Sequence, residues 1–266
     1  MKIAYFTKQA ALLSDTRVAS LLEDLRNGGC ELYPVSGAQD LRPETDSLMA
    51  IGGDGTFLGA SQLVAGTEVP VLGVNLGRLG FLSENKPEEV AGMLLNGDYS
   101  VESRTMLSAG FDGVSWMALN EVCVSRVGAG MLGVDVVLNG QPLPTYWADG
   151  LLVSTSSGST AYSLSAGGPI CTPQSRVLLI VPVAPHNLNV RPLVVPENSE
   201  IGISLKSRDS SVVVSADTRT RISDASVRIS VRAVPGAVKI LTLGRSSFIG
   251  ALSAKLHWGE DFRNEK

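Results

Sequence analysis

Histidine is nearly missing from this 266-residue chain: only His186 and His257 occur, too few for an imidazole metal cage and poor material for a His-based triad. Cysteine is scarce as well. Cys30, Cys123 and Cys171 cannot all pair within the chain, and their spacings match no zinc motif. With no secretory leader read at its start, a reducing cytoplasmic location is expected. Long hydrophobic runs are absent too. The most apolar stretch, residues 177–183, is interrupted by Pro182 and is far too short to span a bilayer, so no membrane partner is expected. Charged residues make up 18% of the chain and the net charge is −4, which disfavours binding nucleic acid through bulk electrostatics. A local basic pocket for an anionic ligand stays open. No Gly-Lys pair occurs anywhere, so no Walker loop is present. Hydrophobic content of 44% describes an ordinary globular chain with ample material for a core.

What is present concentrates in two glycine-rich segments about a hundred residues apart. Ile51-Gly-Gly-Asp-Gly-Thr56 places one carboxylate, Asp54, among Gly52, Gly53 and Gly55, after an apolar run and before a helical pattern. Such a turn lets backbone N–H groups approach phosphate oxygens. Bare backbone costs conformational entropy, so three glycines in four positions call for a reason. The bland alternative is a tight strand-to-helix connection capped by Asp54. The second segment, Ser157 to Gly168, is rich in small hydroxyl residues around one aromatic, Tyr162. It is a poor core element with room for a ribose, phosphate and base. Tyr162 either stacks on a base or closes the pocket.

The pattern along the chain predicts two regions. Strands over 2–6, 31–35, 48–51 and 70–74 alternate with helices, one N-capped at Ser14, one over 56–65 and one over 87–96, which argues for a parallel α/β sheet. In such sheets ligands sit at the carboxyl ends of strands, where Gly52–Gly55 falls. From residue 101 to about 243 the texture is mostly short β-type runs, among them 116–125, 226–231 and 238–243, with turn residues such as Pro235-Gly236 between them. This reads as an antiparallel all-β domain. Residues 246–258 regain helical spacing through Phe248, Leu252 and Leu256, and are expected to pack back on the first domain. The domains are therefore placed at 1–99, with 246–266 added, and at 100–245.

Other motifs divide between functional and structural readings. Asn120-Glu121, inside a strand-like run, offers an amide for a base or ribose and an acid for hydroxyls or metal; locally it also fits a strand end with a solvated glutamate. Asp149-Gly150 alone reads as a turn before a strand. Gly128-Ala-Gly-Met-Leu-Gly133 matches the dinucleotide fingerprint literally but lies between two β runs, so it is expected to be a hairpin turn. Arg191 with His186 resembles an anion clamp, and the prolines beside them fit a structural loop equally.

These residues together resemble one family, the ATP-dependent NAD kinases. The matching positions are the Gly52–Thr56 turn, Arg104-Thr-Met-Leu107, Asn120-Glu121, Asp149-Gly150, residues 158–170, Pro185-His186, Arg191-Pro192 and the closing Lys255-Leu-His-Trp258. The resemblance covers nearly the whole chain. It implies an α/β + all-β fold, with a Rossmann-like N-terminal domain and a β-sandwich-like C-terminal domain, assembled as a homodimer or homotetramer. It implies transfer of the γ-phosphate of ATP to the adenosine-ribose 2′-hydroxyl of NAD, giving NADP. Magnesium or another divalent cation would bridge the ATP oxygens with no dedicated protein cage.

On this reading Asp54 is the general base, or else a metal ligand, and Gly52, Gly53, Gly55 and Thr56 hold phosphate. Asn120, Glu121, Asp149, Thr160, Ala161, Tyr162, Ser163, Leu164 and Ser165 would hold NAD. Asp217 matches a family acid near the nicotinamide side, which the resemblance allows a neighbouring subunit to supply. The sequence departs from relatives at Ser156-Ser157, Gly59, Trp147 and Arg219. Lipid kinases of the diacylglycerol-kinase type share the glycine turn, and a non-catalytic dinucleotide sensor would share the pocket. The acidic charge and the hydroxyl-rich 157–165 segment argue against the first, and the presence of Asp54 against the second.

Overall fold

The computed structural model describes residues 1–77, 80–244 and 248–258. It divides into two compact units: Met1–Phe57, Leu72–Glu102 and Ile240–Lys266 form one, and Leu58–Val71 with Ser103–Lys239 form the other. Ser246, Ser247 and residues 259–266 of the expected C-terminal helical segment lie outside the described residues.

In the first unit the chain runs β1 (Lys2–Phe6), α1 (Thr16–Asn27), β2 (Glu31–Pro34), β3 (Ser47–Ile51), α2 (Asp54–Leu63, which enters the second unit at Leu58), β4 (Val71–Val74) and α3 (Pro87–Asn96). Strand β1 pairs in parallel with β2 on one side and β3 on the other, and β3 borders β4. Helix α1 presents Val18, Leu21, Leu22 and Leu25, spaced for one face, to a core shared with Ile3, Met49, Ile51, Leu72 and Val74. Its cap is Asp15, whose side chain accepts the Arg17 N–H, and not Ser14, which ends a preceding 3-10 turn. The shorter route for the first-turn donors won, because Asp15 sits directly before the helix.

The second unit is built from β5 (Tyr99–Phe111), β6 (Val114–Ala118), β7 (Glu121–Arg126), β8 (Leu132–Leu138), β9 (Gln141–Pro142), β10 (Tyr146–Ala148), β11 (Gly150–Thr155), the short α4 (Tyr162–Ser165), β12 (Val177–Val183), β13 (Leu193–Pro196), β14 (Glu200–Lys206), β15 (Ser211–Ala216), β16 (Arg219–Asp224) and β17 (Ile229–Leu243). Strand β17 ends in the first unit, and α5 (Phe248–Leu256) follows it there. Two sheets face each other across a core. The order β10-β8-β14-β17, with β5 on β17, meets the six-stranded order β13-β12-β11-β7-β15-β16. Alternation decides the sides. Val122, Val124, Leu151, Val153, Leu178 and Ile180 point into the sandwich. Cys123, Leu152, Leu179 and Val181 point to the outer face, where Ala166 and Cys171 pack on them. The six-stranded sheet is thus apolar on both faces, which explains the unbroken run in β12.

Three expectations fail in this region. Residues 116–125 are two strands broken at Leu119-Asn120. The runs expected over 226–231 and 238–243 merge into the one strand β17, which starts at Ile229 and has Pro235-Gly236 inside it. The 128–133 segment is no hairpin, because β7 and β8 lie in different sheets and it crosses between them.

Candidate functional site

All five residues of β3 are buried, and the chain leaves it through Gly52. Gly52 adopts φ +147°, and any side chain there would run into Thr56. Its N–H donates to the Val74 carbonyl at 2.8 Å. Helix α2 then starts at Asp54, two residues earlier than the periodicity suggests, so Asp54 lies in the first helical turn. The Thr56 and Phe57 N–H groups bond back to the Gly53 carbonyl, and the amides of Gly53, Asp54 and Gly55 precede that ladder, at the end where the helix dipole favours an anion. A Cβ added to Gly53 or Gly55 meets no described atom within 4 Å. Among the described residues the bare faces at 53 and 55 meet no packing partner, which suits a close approach of a ligand to the backbone.

The Asp54 carboxylate does not stand alone. Its Oδ2 accepts the Phe81 N–H at 2.9 Å, and its Oδ1 accepts those of Leu82 at 3.2 Å and Ser83 at 2.9 Å. The Ser83 hydroxyl donates to the Gly52 carbonyl, closing the turn on the glycine segment. Gly80 lies so close that a methyl group there would overlap the Asp54 carboxylate. Sequence reasoning missed this 80–83 loop; its signal is the glycine-punctuated run after β4, ending in Gly80-Phe81.

In the second unit the break at Leu119-Asn120 is held by Asp217. That carboxylate accepts the N–H groups of Leu119, Asn120 and Glu121 at 2.7, 2.9 and 3.2 Å. Asp217 itself sits at φ +51°, in the turn between β15 and β16. Its oxygens are taken up by its own chain.

The second glycine-rich segment is stitched to the same break. The Thr155 hydroxyl donates to the Leu119 carbonyl, the Ser154 hydroxyl and Thr155 N–H to that of Asn120, and the Gly158 N–H to Thr155 Oγ1. A side chain at Gly158 would collide with the Asn120 carbonyl. Residues 157–160 form a 3-10 turn, Ala161 bends, and α4 begins at Tyr162, whose N–H reaches the Glu121 carboxyl. Thr160, Ala161 and Leu164 are half-buried, Tyr162 and Ser165 exposed, and Ser163 buried against Gly168.

Glu121 is therefore no solvated strand-end glutamate. Burial first, and the neighbouring Asp217 charge second, push its carboxyl up to about 8. Its Oε2 and the Asn120 Oδ1 are buried with no hydrogen-bond partner among the described residues, and the Ser163 hydroxyl is in the same condition. An orphaned buried polar group costs about 1–3 kcal/mol, so this cluster asks for a ligand.

Asp149 sits at the β10–β11 junction. Arg126 grips it through Nε at 2.7 Å and Nη2 at 3.2 Å, and this hydrogen bonding holds its carboxyl below the usual range. The His186 Nε2 lies 3.8 Å from the same carboxylate, while Arg191 donates to the Leu188 and Val190 carbonyls of its own loop, so the two form no anion clamp. Burial, and then the Cys123, Glu121 and Asp149 charges, raise the Tyr162 phenol. Asn120, Glu121, Asp149, residues 160–165 and Asp217 are thus neighbours in one unit. Arg126, unremarkable in the sequence at a strand end, is the orienting residue that was not foreseen.

Comparison with known proteins agrees across nearly the whole chain. Residues 35–97 match the family model of the ATP-NAD kinase N-terminal domain, and residues 119–243 that of the ATP-NAD kinase C-terminal domain. The NAD kinase of Flavobacterium psychrophilum is 40% identical over 260 residues, covering 94% of this chain and 88% of its own. That of Porphyromonas gingivalis is 36% identical over 286 residues, covering 98% and 99%. Among solved structures, yeast NADH kinase complexed with NADH shares the fold at TM-score 0.86 and 24% identity, over 100% of this chain and 90% of its own. An NAD kinase from Archaeoglobus fulgidus in complex with ATP aligns at TM-score 0.79 and 25% identity, over 97% and 99%.

Proposed function

The chain belongs to the ATP–NAD kinase family, so its activity is the ATP-dependent phosphorylation of NAD, and we propose how its residues divide that work. Residues 1–99, with the C-terminal segment 246–266, receive the ATP phosphates on the amides of Gly53, Asp54 and Gly55. Residues 100–245 hold the dinucleotide, with Asn120 Oδ1 and Glu121 Oε2 meeting ribose hydroxyls or amide groups of NAD. These two buried oxygens, unpartnered among the described residues, are the observation that carries the assignment. Tyr162 covers a base, and Asp149 and Asp217 fix the segments that bear the contacts.

In the transfer, the 2′-hydroxyl oxygen of the adenosine ribose bonds to the γ-phosphorus as the bond from that phosphorus to the β-bridging oxygen breaks, releasing ADP. Asp54 takes the hydroxyl proton. A carboxylate offers about four lone-pair sites, and three are filled by the 81–83 amides. The fourth is on Oδ2, which accepts only one of those bonds, and this is the position for the incoming hydroxyl. Among the described residues no three His, Cys, Asp or Glu side chains gather to hold a metal ion. We take magnesium to be carried by phosphate and water oxygens, leaving Asp54 to the proton. Magnesium would supply charge neutralisation on the transferring phosphate. We place the protein in the cytoplasm as a homodimer or homotetramer.

Purified protein with NAD, ATP and magnesium is expected to form NADP, and omission of ATP or addition of excess chelator to abolish it. NAD binding without any NADP would overturn the assignment in favour of a sensor.

A further inference from the structure

The closing Lys255-Leu-His-Trp258 motif has no part in the phosphoryl transfer above, yet the Lys255 side chain is only 15% exposed. Its ammonium is spent on one short loop. Nζ donates to the Gly80 carbonyl, lies 3.3 Å from Glu84 Oε1 and stands 4.6 Å over the centroid of the Phe81 ring. The same loop carries the three amides that grip Asp54, and the Gly80 N–H bonds the Ser83 carbonyl to make it a tight turn. Lys255 on α5 is 175 residues from Gly80. A charge so distant in sequence, touching the first, second and last residues of a five-residue turn, ties that turn to α5.

We propose that Lys255 is a positioning residue for phosphoryl transfer: it clamps residues 80–84 so that their amides hold the Asp54 carboxylate in one orientation, with a lone pair of Oδ2 free for the acceptor hydroxyl. The inference rests on the assignment of Asp54 as the base. Lysine suits the task because its ammonium is a compact point charge with three donors, enough to serve a carbonyl, a carboxylate and a ring face together. The clamp acts on the chemical step and leaves the dinucleotide contacts of the second unit untouched.

The test compares Lys255→Met and Lys255→Arg with Asp54→Asn, by steady-state kinetics and by amide hydrogen exchange at Phe81–Ser83, with β3 amides as the reference for global stability. Lys255→Met is expected to lower kcat by about tenfold to a hundredfold, the range that a misplacement of about 1 Å produces. KM for NAD should stay unchanged, exchange at 81–83 should quicken while β3 does not, and Lys255→Arg should recover most of the rate. If Lys255→Met does not fold, Lys255→Gln keeps an N–H donor without the charge and carries the same expectation. A wild-type kcat in the variant, or a fallen kcat with 81–83 exchange unaltered, would overturn the clamp. Full turnover in Asp54→Asn would instead overturn the base assignment, whatever Lys255 does.

Discussion

Glu121 shows how one residue couples the site to the stability of the fold. In the unfolded chain its carboxyl titrates near the ordinary 4.5; in the fold, burial and Asp217 keep the proton on to about 8. Between those values the folded state binds more protons than the unfolded state, so stability is greatest below about 4.5 and falls as pH rises towards about 8. Glu121→Gln removes this slope. Urea unfolding between about pH 5 and about pH 8 should show the wild type losing more stability than the variant; parallel losses would refute the assignment. Tyr162 makes a separate case. It is 43% exposed, so its truncation opens little in the core. Tyr162→Ala is expected to leave the melting temperature nearly unchanged and to weaken NAD binding roughly tenfold in calorimetry, about 1.4 kcal/mol. Unaltered affinity would make Tyr162 a packing residue.

At the scale of elements, glycines with different surroundings give opposite expectations. Gly53 has open space where a side chain would go, so Gly53→Ala should fold as well as the wild type while raising KM for ATP. Gly80 has the Asp54 carboxylate there, so Gly80→Ala should displace the acid or the loop and cut kcat by about a hundredfold. Equal effects of the two on KM for ATP would contradict the cradle. The sequence showed the glycine turn and its place at the end of β3, because both are local. It did not show that the acid answers to residues 81–83, a relation set by tertiary packing alone. The strand break at Leu119-Asn120 was hidden for a similar reason. The residues on either side of Asn120-Glu121 favour extended structure, and the interruption is held by Asp217, which accepts three successive amides at the break. Pro235-Gly236 misled in the other direction: turn residues lie within β17 where pairing on either side overrides them. The cap of α1 slipped by one residue, within the usual uncertainty of helix ends.

On the scale of the molecule, the change from alternating helices and strands to short β runs near residue 100 was legible, because hydrophobic period is a property of whole segments. Less visible was that residues 58–71 join the second compact unit, which follows from contacts made by the second half of α2. Glu121 opens the interior strand β7, Asn120 directly precedes it and residues 157–165 follow β11 beside it, and the oxygens there that are orphaned among the described residues leave binding energy for a ligand to recover. Ligand binding should therefore be visible as stability. NAD at about a hundredfold over its Kd should add about 2.7 kcal/mol, and on the proposed assignment that gain comes from the second unit's contacts and not from Asp54.

This separation makes Asp54→Asn the most direct test. The measurement is the initial rate of NADP formation at saturating NAD, ATP and magnesium, beside the NAD-dependent rise in melting temperature, for wild type and variant. A rate lowered by about a hundredfold or more with the NAD-dependent rise preserved is the predicted result. A variant that turns over like the wild type would contradict the account, because the proton of the ribose hydroxyl would then have another acceptor.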